Sequence, residues 1–318
     1  MKRFGIICLL LSLCLSLLSC GKTAPDETVN VRNKLAFSVP GAVTGEMNPF
    51  YATEEGDLAA LALMTGTFFG GDDIAEMTEK QLADGNYLVT VDISEKAVCA
   101  DKSGIFSTDL IYAVQLVCDP TYHGPYTALA QSSLVGLSEF RSGEVTAIAG
   151  INRVNERRAE FTFAEKEDFR TLLNLPAVRT SNYGGFTYGR CAREDIVAKR
   201  AKVMGYGPYQ IDQWIESDNK MINLKRNEYY FGGQAGMREI SLRSVSDADV
   251  GLNMQLGQLT AGFLHDKEEA ARQAEQYGYT AIMLKDGALL CQKKASFAKK
   301  LGEEHTIIQA IALVGSQL

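Results

Sequence analysis

Two short patterns in this sequence carry the residue types of acyl transfer. Ser296 and Lys299 make S-x-x-K, and Ser217, Asp218 and Asn219 make S-D-N. Enzymes that use these motifs place S-x-x-K before S-D-N and add K-T-G, whereas here the order is reversed and K-T-G is missing. Patterns with two free positions arise often by chance, and Asp218-Asn219 already serves as a hairpin turn, so the chain is not read as an enzyme. His123, His265 and His305 stand far apart without H-x-x-x-H spacing, which leaves a protein metal site little support. The acidic clusters "EEGD" and "DKEEAA" read as solvated helix starts, where carboxylates suit the positive end of the helix dipole.

Seven cysteines complete the inventory of reactive groups. Cys8 and Cys14 belong to a removable leader, Cys20 follows it directly, and Cys99, Cys118, Cys191 and Cys291 are scattered without a CxxC pair. A Cys99 to Cys118 bridge remains open, with free buried thiols the expectation.

The leader is residues 1–19: Lys2 and Arg3, then "FGIICLLLSLCLSLLS", with no acid, the layout of a secretory signal peptide. It ends at "LLSC", which resembles a bacterial lipobox and makes Cys20 the acylated residue of a lipoprotein, with residues 20–32 as a polar tether. An ordinary signal peptide with an incidental cysteine is the alternative. Losing Lys2 and Arg3 takes the formal net charge from -7 to -9. So acidic a chain lacks the basic footprint that nucleic acid requires. The roughly 300 residues that follow suffice for about two domains.

The elements alternate. "KLAFSVP" reads as a strand leading to the loop "GAVTGEMNPFYAT", and "EGDLAALALMTGTFF" as a helix with apolar Leu58, Leu61, Leu63 and Met64. "GNYLVTVDISEKAV" puts Tyr87, Val89, Val91 and Ile93 on one face of a strand. "STDLIYAVQLVCDP" reads as a helix with a Ser or Thr cap, and "GEVTAIAGINRVNERRAEFTFAE" as two strands around the turn "VNERR". A strand and loop at "NLPAVRTS" and a short charged helix at "CAREDIVAKRAK" come next. In "GYGPYQIDQWIESDNKMINLKRNEYYFGG" a Gly-Pro turn leads a hairpin with Trp214 on it, a residue expected in packing. The strand "MREISLRSV", helix "DADVGLNMQLGQ", strand "LTAGFL", helix "DKEEAARQAEQYG" ending at Gly278, a hairpin in "YTAIMLKDGALLCQ" and an amphipathic helix over residues 303–314 finish the chain. The interleaving predicts a mixed α/β sheet.

The Gly-Pro stretch resembles the G-x-G-P-Y, hairpin, R-N-x-x-Y-x-G-G segment of the extracytoplasmic solute-binding proteins of peptide, dipeptide and nickel ABC transporters (family 5). The matching residues are Gly205, Gly207, Pro208, Tyr209, Trp214, Leu224, Arg226, Asn227, Tyr230, Gly232 and Gly233. "GEMNPFYATEEGD", the "GEVTAIAGINRV" hairpin, "MREISLRSVSDADVGLNMQLGQLTAGF" and "TIIQAIALVGSQL" resemble other family stretches in the same order. Tyr206 departs from the usual Thr or Ser, "SEKAVCADKSGI" lacks the family's Trp and His, and Thr260-Ala261 replaces Ile-Asp.

The resemblance implies a periplasmic-binding-protein-like α/β fold. Residues 33–263 would form the first lobe, with a subdomain at about 70–170, and residues 264–318 the start of a second lobe that the sequence leaves at Leu318. It implies a binding lipoprotein held outside the membrane, working as a monomer without a cofactor, that captures short peptides for an ABC permease. Gly41, Ala42, Val43, Thr44, Gly45 and Glu46 would border the cleft, with Tyr206 near the hinge. The acidic partner of a peptide's amino group would belong to the second lobe, and a nickel-loaded ligand would not need a protein metal site in every case. A form with only one lobe could instead be a non-transporting remnant or a surface lipoprotein that binds another protein.

Overall fold

The computed structural model describes residues 34–39, 41–70, 74–196, 205–215, 221–232 and 237–292. The leader, Cys20 and its tether, both acyl-transfer patterns, His305 and the helix expected over residues 303–314 lie outside them.

The sequence's first apolar run becomes the centre of the molecule. In β1, Lys34–Val39, both Phe37 and Ser38 are fully buried, so the strand is covered on both faces. It runs parallel to β10, Glu239–Ser244, on one side and to β11, Ala261–Leu264, on the other. The hairpin of β8, Tyr209–Ile215, and β9, Met221–Arg226, extends the sheet beyond β10, and β12, Thr280–Leu284, and β13, Gly287–Cys291, extend it beyond β11. The order is β12-β13-β11-β1-β10-β9-β8.

Alternation along these strands feeds two cores. Leu35, Phe37, Phe263 and Leu289 pack with Ala59, Ala60 and Leu63 of α1, Glu55–Met64. Leu264, Ala288 and Leu290 pack with Val250 and Ala270 of the helices on the other face, α5 (Val250–Gln255) and α6 (Lys267–Tyr277). Residues 264–292 therefore continue the sheet that β1 centres. Asp266 caps α6 by accepting from the Glu268 and Glu269 amides, and Gly278 ends it in the left-handed conformation.

A second unit is antiparallel: β3 (Ala75–Gln81), β4 (Tyr87–Ile93), β6 (Arg158–Phe163) and β5 (Ile151–Arg153), in the order β3-β4-β6-β5. Val89, Val91, Phe161 and Phe163 meet Leu110, Ala113 and Val117 of α2, Ser107–Cys118. Two short helices, α3 (Leu137–Ser142) and α4 (Phe169–Leu172), complete this unit, and the short pair β2 (Gly66–Thr67) and β7 (Pro176–Ala177) lies between it and the large sheet in the chain.

One strand was not foreseen and three expectations need correction. The edge strand β3 escaped the pattern because apolar alternation in "AEMTEKQ" stops after Ala75 and Met77, its charges suiting an exposed sheet edge. The N-cap of α2 is Phe106, whose amide donates to Asp109 at 2.8 Å, so the acid in the first turn does the capping. Leu58 is not in the buried face of α1 but 40% exposed. Residues 192–196 make a single turn, closed by the Asp195 and Ile196 amides on the Ala192 carbonyl, where the first part of a helix over 191–202 was expected, and residues 197–202 lie outside the described residues.

None of the four described cysteines forms a disulfide, and all four are buried. Burial pushes Cys99, Cys118 and Cys191 up to about 12 and Cys291 up to about 11. Since the thiolate is the nucleophile, none should react with a disulfide reagent at pH 8 in native buffer, and all four should react in denaturant. Peptide mass mapping after labelling reads this; native modification of any one would show its pocket open.

Candidate functional site

In doubly wound sheets ligands meet the carboxyl ends of parallel strands. At that end of β1 lies the loop expected to border the cleft. Gly41 and Ala42 are exposed, Val43 and Gly45 are buried, and Thr44 and Glu46 are half-buried. The Ser244 hydroxyl, at the end of β10, donates to the Gly41 carbonyl at 2.6 Å.

What shapes the loop is Asp57, in the first turn of α1 and 0% exposed. Its carboxylate accepts from the amides of Thr44 at 3.0 Å, Gly45 at 2.9 Å and Glu46 at 3.3 Å, and from the Thr44 hydroxyl. Consecutive amides converging on one carboxylate force the loop into a tight arc, and the positive end of α1 favours the charge at its centre. The reading of "EEGD" as solvated thus holds for exposed Glu54 and Glu55 and fails for Asp57.

Gly45 has φ +76, and a Cβ there would stand 2.7 Å from the Trp214 ring. Trp214, packed against the α1 core from the hairpin, therefore roofs the loop, as its expected packing role implies. The Glu46 carboxylate pairs with Arg193 at 2.6 Å and accepts from the Asn48 amide at 3.1 Å.

Beside the loop, His265 at the end of β11 joins Glu55 at 2.7 Å through Nε2 and the Asp286 carbonyl at 3.3 Å through Nδ1. Partial burial opposes charging, but the Glu55 and Asp286 hydrogen bonds outweigh it and raise the His265 pKa above the ordinary imidazole value. The charged clamp is complete below about pH 6.5 and fades as pH rises through the raised folded value. Urea denaturation of His265→Gln at pH 5.5 and 8.5 should show this increment lost; because the pair is half-exposed, it amounts to less than about 1 kcal/mol. An unchanged pH dependence would remove the clamp from the account.

Tyr206 sits apart from the loop. It is 3% exposed, its hydroxyl donates to the Thr67 carbonyl at 2.7 Å, and its ring tilts against Phe231 at 6.1 Å. Around it the G-x-G-P-Y and R-N-x-x-Y motifs close on each other. The Gly207 amide donates to the Met64 carbonyl at 2.9 Å, and buried Asn227 donates from its side chain to the Gly207 carbonyl at 2.9 Å. A cavity of about 500 Å³ lies here, walled by Leu58, Leu61, Ala62, Tyr126, Tyr206 and Tyr230 among others. No residue of the loop 41–46 lines it, yet α1 serves both places, with Asp57 holding the loop and Leu58, Leu61 and Ala62 facing the cavity.

The sequence reading missed Asp57, Arg193, Ser244 and His265. Only Asp57 carried a signal, an acid in the first turn of an apolar helix. Among the described residues no group of three or more His, Cys, Asp or Glu could hold a metal ion, and no helix is long and apolar enough to cross a membrane. The arrangement offers recognition groups: a rigid loop, a roofing indole and an apolar recess.

A family model described as bacterial extracellular solute-binding proteins, family 5 middle, matches residues 75–287. Lactococcal OppA, solved with an endogenous peptide in the closed conformation, is 16% identical with a TM-score of 0.63 over 79% of this chain and 48% of its own. Listeria monocytogenes OppA bound to peptide is 15% identical with a TM-score of 0.62, over 80% and 50%. NikZ from Campylobacter jejuni in complex with Ni(L-His) is 12% identical with a TM-score of 0.56, over 84% and 51%. The chain thus spans about half the length of these structures, and over that half it has their mixed α/β fold. No curated protein matches it.

Proposed function

Because this chain belongs to the family 5 bacterial extracellular solute-binding proteins, we propose that it captures short peptides outside the cytoplasm and passes them to an ABC permease. On this reading residues 1–19 direct export and Cys20 is acylated, tethering a monomer to the membrane. The observation that carries the site is the loop 44–46, fixed by Asp57 at the carboxyl end of the central parallel strand. The amides bound to Asp57 are not free to pair with a solute, so what the loop offers an extended main chain is a fixed wall that loses little further entropy on contact. The lobe boundary falls, on this proposal, after β13 and not at residue 264, because α6, β12 and β13 complete the first sheet.

Titration of the purified, isotope-labelled chain with a di- to pentapeptide library tests the site. The expected result is movement of the Thr44, Gly45 and Glu46 amide resonances with affinity weaker than micromolar, since about half of the relatives' length supplies about half of an enclosing surface. Unmoved loop resonances at millimolar peptide would overturn the peptide reading, and micromolar affinity would overturn the expected weakness.

A further inference from the structure

The cavity beside Tyr206 has a lining that selects its occupant. None of the described side chains facing it is Asp, Glu, Lys, Arg or His. Two of its polar groups are engaged within the protein: the Thr65 hydroxyl donates to the Leu61 carbonyl at 2.8 Å, and the Tyr206 hydroxyl to the Thr67 carbonyl at 2.7 Å. Apart from the hydroxyls of Thr67, Tyr126 and Tyr230, what remains is aliphatic surface from α1 and aromatic surface from Tyr126, Tyr206 and Tyr230. Leu58, 40% exposed, brings the recess to solvent and leaves a large apolar side chain without cover.

A charged group seated on that surface would give up part of its hydration and meet no opposite charge among the described lining residues, which disfavours it. An uncharged apolar group would gain in proportion to the area it buries, and about 500 Å³ is ample for a phenyl, indole or isobutyl group. We infer that this cavity is a side-chain subsite, and that it takes an apolar or aromatic residue of the captured solute and rejects a charged one. The inference rests on the peptide reading for the identity of the solute, while the cavity's chemistry stands on its own lining.

The test uses the purified, isotope-labelled chain and two kinds of probe. N-acetyl-phenylalaninamide should move the amide resonances of Ala62, Gly66, Gly70 and Gly207, and N-acetyl-lysinamide should not. Ala62→Phe, which fills the recess from a half-buried position, should abolish the movement, and Leu58→Lys, at the exposed rim, should weaken it at least fivefold. Gly-Gly-Phe-Gly and Gly-Gly-Lys-Gly form the second arm, with the first expected to bind at least fivefold more tightly. If both peptides move the loop 44–46 equally and the cavity resonances stay still, the subsite is refuted and peptide capture survives. If the phenylalanine probe fills the cavity but no peptide touches the loop, peptide capture is refuted and the apolar site survives. Silence from every probe overturns both.

Discussion

Asp57→Ala is expected to lower the stability of the chain by about 3–5 kcal/mol in urea denaturation, the range found when one partner of a buried charged network is removed. The amides of Thr44, Gly45 and Glu46 and the Thr44 hydroxyl would all lose the carboxylate they share, the Glu46 amide keeping the Thr44 hydroxyl at 3.3 Å. A buried donor left unmatched costs about 1–3 kcal/mol. Gly45 is buried beneath Trp214 and cannot turn to water, whereas Thr44 and Glu46 are half-buried and recover part of the loss. The sum is a large share of the about 5–15 kcal/mol that holds a typical domain together. Asp57→Asn keeps the volume but turns an NH2 group toward donors, so about 2 kcal/mol is expected for it. The loop amides should also exchange faster with solvent in both variants while those of β4 do not. A loss below about 1 kcal/mol for Asp57→Ala would mean that the loop holds its arc without the carboxylate.

That the sequence left Asp57 among solvated acids shows where pattern reading stops. Strands and helices with one wet face announce themselves: Tyr87, Val89, Val91 and Ile93 alternate, and three of the four are buried. The Gly-Pro hairpin was legible because its turn residues and its two alternating runs act locally. β3 was not, because an edge strand satisfies only one neighbour and this one turns only Ala75 and Met77 to the core, too few to write a pattern into its residues. Asp57 resembles Glu54 and Glu55 in composition and differs only in what stands over it, a loop that precedes it by about a dozen residues and a tryptophan from a distant hairpin. The cavity is still less local, since its walls come from α1, Tyr126, Pro176, the Tyr206 to Pro208 turn and Tyr230. The expected loop residues and Tyr206 both found places near α1, but as separate features, one a pinned arc and the other the wall of a recess.

Gly205→Ala should be as damaging as the loss of Asp57, for a steric reason. A Cβ at Gly205 would stand 2.1 Å from the Met64 carbonyl oxygen and 2.7 Å from the Thr65 Cα. These are backbone atoms at the end of α1, so no side chain can swing aside. Relief requires the Gly-Pro turn to retreat from the helix, which would break the bond from the Gly207 amide to the Met64 carbonyl and pull Asn227 from the Gly207 carbonyl. The expected destabilisation is about 3 kcal/mol or more, from overpacking together with lost buried hydrogen bonds. Gly278→Ala provides the contrast: its φ of +75 disfavours any side chain, but the space around it is open, so it should lose only about 1 kcal/mol. Urea midpoints of the two variants separate crowding from backbone conformation. A Gly205→Ala midpoint equal to that of Gly278→Ala would show that the turn can back away at little expense, and the cavity wall built on it would then be far softer than its contacts indicate.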